Sequence, residues 1–141
     1  MLRNRLFTAD ATAPFSIVES KQGKIGFSLI TAWEFIEHIE ENKLIDVFKN
    51  IDNHLSVNGV VIMSVSPIDD FVDGVNLHRT VKPYEWWVNK CLDLGFRHHP
   101  EAVAYFAPDN WIRYEANASQ SFHLVLTRVY EKLPDFPVDH E

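Results

Sequence analysis

Two short apolar runs, separated by a helical pattern, constrain the fold of this sequence most. Residues 27–32 (FSLITA) and 59–66 (GVVIMSVS) are long enough for buried strands, and the second run is apolar on both of its faces. The chain between them predicts an amphipathic helix that begins within 33–41. Its apolar stripe consists of Leu44, Phe48, Ile51 and Leu55. A strand–helix–strand unit of this kind favours a parallel sheet covered by helices.

The flanking segments complete the prediction of an α/β fold. We expect a short strand at 5–9, a polar loop at 67–82, a helix from Pro83 to Gly95, and strands at 101–107 and 121–130. Because no helix separates the last two strands, we expect them to form an antiparallel pair at the edge of a mainly parallel sheet. The sequence predicts one domain over residues 1–132, followed by a loose acidic tail over 133–141.

Charge and composition exclude several classes of function. The 141 residues carry a formal net charge of −7, which disfavours non-specific binding to nucleic acid. Cys91 is the only cysteine, so no intrachain disulfide can form and a reducing compartment is expected. No apolar run reaches the length of a membrane span. We therefore expect a cytoplasmic protein that acts on a small molecule or on a protein partner.

Polar side chains follow the predicted strands at their carboxyl ends. Asp10, the 31–38 segment and the loop after Ser66 each follow a strand, and open α/β sheets bind ligands at this edge. Glu34 lies at the strand end itself and is assigned to a ligand cleft. For Glu37, Glu40 and Glu41 a second interpretation stays open, since acidic residues at a helix start also complement the helix dipole.

A metal site is an alternative use of the same segment. Glu34 and His38 are four residues apart and would share one face of a helix. They supply only two ligands, whereas zinc takes three or four, so His78, Asp69 or Asp73 would have to complete the set. The sequence contains no HExxH, no HxxEH and no cysteine pair. On this count we predict no metal ligands.

Several stretches, taken in order, carry a resemblance to a known family. "TADAT" precedes "FSLITAWEFIEHI", and a helix, "HLSVNGVVIMSVSP", H-x-T-V-K-P-x-x-W-W from His78 and "LGF" follow. Over roughly residues 5–130 the chain resembles the class I methyltransferases that use S-adenosylmethionine. The resemblance implies a seven-stranded Rossmann-like sheet. It also implies transfer of a methyl group from the cofactor sulfonium to an oxygen, nitrogen, carbon or sulfur nucleophile.

The sequence departs from the family at its glycine-rich turn. The five glycines are at 23, 26, 59, 74 and 95, and none lies in the GxGxG turn that the family places over the cofactor. The resemblance begins near the family's third strand, so we expect the C-terminal portion of the family fold. Two central strands would then be missing, and the strand at 27–32 would have an unpaired apolar edge. A fragment, one half of a two-chain enzyme or a degenerate copy would each explain this.

The resemblance also implies roles for individual residues. The cofactor side would consist of Asp10, Ala11, Trp33 and Glu34. His38 and Trp86 would face the methyl acceptor, and His78 would be the general base in the loop above it. The alternative function is a non-catalytic binding or regulatory module that pairs with another chain through the exposed sheet edge. A metal-dependent hydrolase is the third candidate.

Overall fold

The computed structural model describes residues 6–19, 21, 23–106 and 120–135. Its strands are, in chain order, β1 (Val18–Glu19), β2 (Gly23–Lys24), β3 (Phe27–Trp33), β4 (Leu55–Val65), β5 (Phe71–Val72), β6 (Val75–Asn76), β7 (Phe96–His98) and β8 (Phe122–Arg128). The α-helices are α1 (Leu44–His54), α2 (Tyr84–Asp93) and α3 (Val103–Phe106), and 3₁₀ helices cover Ile36–His38, Glu41–Lys43 and Pro100–Ala102. The predicted α/β class is thus confirmed at this coarse level. No helix of the described ranges is long and apolar enough to cross a membrane.

The main sheet of the described residues has the strand order β3-β4-β8-β7. Strands β3 and β4 are parallel, with Leu29 opposite Val60 and Trp33 opposite Ser64. Strand β8 runs antiparallel to both of its neighbours, β4 and β7. The sheet is therefore mixed rather than mainly parallel as predicted. Two small antiparallel hairpins, β1–β2 and β5–β6, lie outside this sheet.

Strand β4 is the centre of the core, as its two apolar faces predicted. Val61, Met63 and Val65 are fully buried in a cluster with side chains of α1 and α2. Val60 and Ile62 point to the opposite face and pack in a second cluster with Ala102. Alternate residues of a strand point to opposite faces, so one strand contributes to both layers.

The predicted helix start at 33–41 is wrong. Glu34 adopts a left-handed backbone with φ of 46°, and its N–H donates to the Ser64 carbonyl oxygen at 3.1 Å. A one-turn 3₁₀ helix follows, but Ile39 and Glu40 return to extended backbone. The first α-helix therefore begins only at Leu44. Bonds to the neighbouring strand decide this conformation, and they override the local helical pattern.

The C-terminal antiparallel pair is present, but its first strand was predicted in the wrong place. Residues 101–106 are helical rather than extended, and position 107 lies outside the described residues. The edge strand is the three-residue β7, which Gly95 introduces with a φ of 92°. Pro100, at the first turn of a 3₁₀ helix, ends the extended segment.

The sequence predicts a strand at 5–9 and a loose tail at 133–141, at the two ends of the chain. Residues 6–9 of the expected strand at 5–9 are not extended in the structure, and residue 5 lies outside the described ranges. Residues 133–135 of the expected tail have no regular secondary structure, and 136–141 are outside the described ranges. The tail prediction is thus tested only at its first three positions.

Strand β3 has one strand neighbour within the described residues, as the sequence predicted. Leu29 is 50% exposed and Trp33 is 44% exposed along this edge. The free edge presents both apolar side chains and unpaired backbone groups to the surroundings.

Arg128 fixes the passage from α1 into β4. Its guanidinium donates to the carbonyl oxygens of Asp52, Leu55 and Ser56, at 2.8, 2.8 and 3.1 Å respectively. It also pairs with the carboxylates of Asp52 and Glu131. One buried side chain thus satisfies three backbone acceptors at the end of a helix.

We predict that Arg128→Met destabilises the fold by about 2–3 kcal/mol, because buried carbonyl groups lose their donors. Asp52→Asn is the matched control and should cost less than about 1 kcal/mol, since the Asp52 side chain is largely exposed. Urea unfolding of the full chain measures both changes. Equal losses in the two variants would contradict the assignment of Arg128 to the backbone acceptors.

Candidate functional site

The carboxyl ends of β3 and β4 lie side by side because the two strands are parallel. The segment after β3 supplies Glu34, Glu37 and His38, and the loop after β4 supplies His78. The end of this loop is bonded to the first segment. The N–H groups of Arg79 and Thr80 both donate to the Glu37 carbonyl oxygen, at 2.8 and 2.9 Å.

Glu37 is the most deeply buried polar group of this edge, with no exposed surface. Its Oε1 accepts a hydrogen bond from the N–H of Ser66 at 2.9 Å. Its Oε2 is buried and has no hydrogen-bond partner among the described residues. Burial raises the pKa of Glu37 from 4.5 to about 7, against the effect of its hydrogen bonds, and the carboxylate of Glu34 adds to the rise.

The two histidines meet directly above this carboxyl group. The rings of His38 and His78 are 4.7 Å apart between centroids and nearly perpendicular. Nδ1 of His38 lies 3.1 Å from the Leu77 carbonyl oxygen, and Nδ1 of His78 lies against that of Ile68. A carbonyl oxygen can only accept, so each Nδ1 carries a proton, and in a neutral imidazole the lone pair is then on Nε2. His78 is buried, whereas His38 is exposed and opens the group to solvent.

The three side chains form the Glu37–His38–His78 cluster. A carboxylate oxygen of Glu37 and one ring nitrogen from each histidine all lie within 4.8 Å of one another. Two imidazoles and a carboxylate can bind a divalent metal ion or exchange a proton with a bound ligand. Within the cluster Glu37 and His78 are buried, whereas His38 is exposed to solvent.

The sequence analysis paired His38 with Glu34, whereas the structure places Glu37 together with His38 and His78. On a regular helix Glu34 and His38 share a face, whereas neighbouring residues such as Glu37 and His38 diverge. The one-turn 3₁₀ helix, followed by extended backbone, instead brings Glu37 and His38 to one site. Glu37 does lie in the first turn of a short helix, but its side chain is fully buried. No signal in the sequence distinguishes Glu37 from Glu34.

Glu34 belongs to a second group of polar residues at the same edge. Its Oε2 accepts a hydrogen bond from the Ser121 hydroxyl at 3.1 Å, and its Oε1 is buried without a partner among the described residues. His123 lies beside Trp33, with 5.9 Å between ring centroids, and burial lowers its pKa. Sequence reasoning missed both Ser121 and His123, because β8 is distant along the chain.

The predicted cofactor residues Asp10 and Ala11 belong to the segment before β1 and are not part of the Glu37–His38–His78 cluster. Asp10 is exposed, and its carboxylate accepts from the N–H and the hydroxyl of Thr12, both at 2.8 Å, which lowers its pKa. Ala11 lines a groove of about 430 Å³ between the 11–17 segment, β3 and α1. The groove lining does not include Asp10, Trp33 or Glu34 in the described part of the chain. Thr31, Ala32 and Phe35, on either side of Trp33 and Glu34 in the sequence, line the same groove as Ala11.

Trp86, predicted on the acceptor side, lies next to two lysines. Its ring centroid is 5.4 Å from the ammonium of Lys82 and 5.5 Å from that of Lys90. Both lysines also lie within 4.0 Å of the Glu41 carboxylate, at 3.9 and 3.8 Å. Trp86 therefore forms part of a charged surface around Glu41.

Comparisons with known proteins do not assign this site. Neither a scan against protein-family models nor a search of curated proteins gave a match.

The raised pKa of Glu37 predicts a pH-dependent stability. The folded state binds the proton more tightly than the unfolded chain, so stability falls as pH rises from 4.5 to about 7. Glu37→Gln keeps an oxygen for the Ser66 N–H and removes this titration. Its stability relative to the wild type should therefore rise by about 3 kcal/mol across that range.

Urea unfolding at several pH values, in buffer containing a chelator, measures this difference. Glu40→Gln is the control, because Glu40 is exposed and three residues away. Its difference from the wild type should stay flat with pH. Parallel pH profiles for Glu37→Gln and the wild type would contradict the burial argument.

Proposed function

We propose that this chain is the acceptor-side portion of an S-adenosylmethionine-dependent methyltransferase. The supporting observation is that two of the stretches that carry the family resemblance converge in space. "TAWEFIEH" supplies Glu37 and His38, and the H-x-T-V-K-P stretch supplies His78, all at the carboxyl ends of β3 and β4. Ligands of open α/β sheets bind at this edge. The methyl acceptor is a small molecule or a protein side chain that reaches the exposed His38.

His78 is the general base of this proposal. Its Nδ1 is bonded to the Ile68 carbonyl oxygen, so Nε2 is the atom that accepts a proton from the acceptor. The carboxyl group of Glu37 lies beside it in the same cluster and, when ionised, would face the imidazole with a negative charge. Orientation of the acceptor would come from the walls of the site, since methyl transfer depends strongly on alignment.

The groove beside Ala11 fits only the adenine end of the cofactor. Its volume is within the range of small-molecule pockets, and its mainly apolar walls, with Phe15, Leu29 and Val47 among them, suit the planar adenine ring. Two polar side chains of the lining, Asn50 and His54, are already bonded to the backbone of the 11–17 segment.

The methionine end of the cofactor carries an ammonium and a carboxylate. No aspartate, glutamate, lysine or arginine lines the groove in the described ranges, so these charges lack partners there. We therefore derive no step through the cofactor from this chain alone. The proposal requires that the remaining contacts come from another polypeptide.

The proposal predicts weak binding of the adenine moiety. Adenosine and S-adenosylhomocysteine should both show saturation transfer in ligand-observed NMR at about 1–5 mM, with affinities within about threefold of each other. The similarity is expected because only the adenine end finds a complementary surface. Ala11→Trp, which fills the groove, should abolish both signals.

Val57→Trp is the control, because Val57 is 80% exposed and is not part of the groove lining. This variant should bind as the wild type does. Absence of saturation transfer from both ligands, or binding that survives Ala11→Trp, would overturn the cofactor side of the proposal.

The free edge of β3 favours one alternative, a non-catalytic module that pairs with another chain. If copies of this chain pair through β3, light scattering after size exclusion should give a dimer at about 100 μM. Leu29→Lys should return it to a monomer, because a lysine on an edge strand opposes pairing. Leu92→Lys is the matched control, with 49% exposure on α2. A wild-type monomer would contradict self-pairing.

A further inference from the structure

We propose that Glu37, His38 and His78 form a binding site for one divalent transition-metal ion of the zinc, cobalt or iron type. Two imidazole nitrogens and one carboxylate oxygen are the ligands that such ions accept. Three protein ligands leave at least one coordination position for water or a bound ligand, as in catalytic rather than structural sites. The inference concerns the site itself and does not depend on the methyl-transfer proposal.

The spacing of the ligand atoms fits such an ion. Bonds of about 2.1 Å in a tetrahedral site place ligand atoms roughly 3.4 Å apart. The three candidate atoms all lie within 4.8 Å of one another. Closing the widest pair from at most 4.8 Å to this spacing requires a movement of up to about 1.4 Å. His38, which is exposed and lies on a one-turn helix, can make this movement by side-chain rotation.

Glu37 provides the second, independent observation. Its side chain is fully buried, one carboxylate oxygen is used by Ser66, and the other has no partner in the described part of the chain. A buried oxygen without a partner is costly in free energy. A cation between Glu37 and the histidines supplies the missing partner.

The surroundings of the histidines also match those of metal ligands. Each ring uses Nδ1 on a backbone carbonyl oxygen, of Leu77 for His38 and of Ile68 for His78. Metal-ligating histidines are typically oriented by such a bond from the second nitrogen. It leaves Nε2 of each ring as the nitrogen that can bind a metal ion.

This site differs from the one considered in the sequence. Glu34 bonds to Ser121, and Asp69 accepts a hydrogen bond from Asn76 at 2.6 Å, so each has another use. The prediction of no metal ligands was based on the helical pair of Glu34 and His38. The observed turn replaces Glu34 by Glu37 and brings in His78, which completes three ligands.

A bound ion would change the role of His78 within the proposed function. Its Nε2 lone pair would be directed to the metal instead of accepting a proton. The ion would supply Lewis acidity to an acceptor oxygen in its open position. This extension rests on the proposed methyl transfer, whereas metal binding can be tested without it.

The test is titration of the full chain, stripped with a chelator, with Zn²⁺ in a calorimeter and with Co²⁺ in an absorption spectrometer. We expect one ion per chain with a Kd of about 10 μM or tighter, and visible cobalt bands from a site of low symmetry. Glu37→Gln, His38→Asn and His78→Asn should each weaken Zn²⁺ binding at least tenfold.

Two controls separate the site from adventitious binding. Glu40→Gln and His99→Asn change an acid and a histidine outside the cluster and should leave the affinity unchanged. His38→Asn remains informative if the buried variants fail to fold, because His38 is exposed. The inference is overturned if no stoichiometric ion binds, or if His38→Asn binds Zn²⁺ as tightly as the wild type. Neither outcome depends on whether adenosine binds in the groove.

Discussion

The parallel pairing of β3 with β4 is the interaction on which the rest of the structure depends. Its register places Trp33 opposite Ser64, so the two strands end at the same level. The N–H of Glu34 then reaches the carbonyl oxygen and the hydroxyl of Ser64, at 3.1 and 2.8 Å. Two residues further on, the N–H of Ser66 reaches the Glu37 carboxylate. A slip of one residue would break these bonds and turn the side chains of β3 to the opposite face.

The parts of the fold with strong periodicity were predictable from the sequence. The apolar run of β4 and the stripe of α1 are repeated patterns, so each position supports its neighbours. Strand β7 has three residues and provides no such pattern. The conformation of 34–40 depends on hydrogen bonds to β4 and to the loop after it, which are contacts between distant parts of the chain. Local propensity cannot include them.

The candidate site, like the fold, could be predicted from the sequence only in part. The sequence predicted polar residues at the carboxyl ends of the strands. This placement follows from the geometry of a parallel pair. Which carboxylate joins the histidines depends on one left-handed residue, Glu34, and on the short turn after it. His123 lies on β8 and Ser121 directly precedes this strand, and no local motif predicts that β8 pairs antiparallel with β4. The polar groups at this edge come from the segment after β3, the loop after β4 and the region of β8, and no one of these segments predicts the whole group.

Glu37 is hydrogen-bonded to both ends of the loop after β4. Ser66 bonds to the side chain of Glu37, and Arg79 and Thr80 bond to its backbone oxygen. Between these anchors the β5–β6 hairpin turns at Asp73 and Gly74, both with positive φ, and exposes Phe71 and Val75. Lengthening this tip leaves the anchors in place, and doubling a loop costs only about 0.6 kcal/mol in closure entropy. The fold therefore permits the hairpin to diverge in length and sequence while Glu37 keeps its bonds to both ends of the loop.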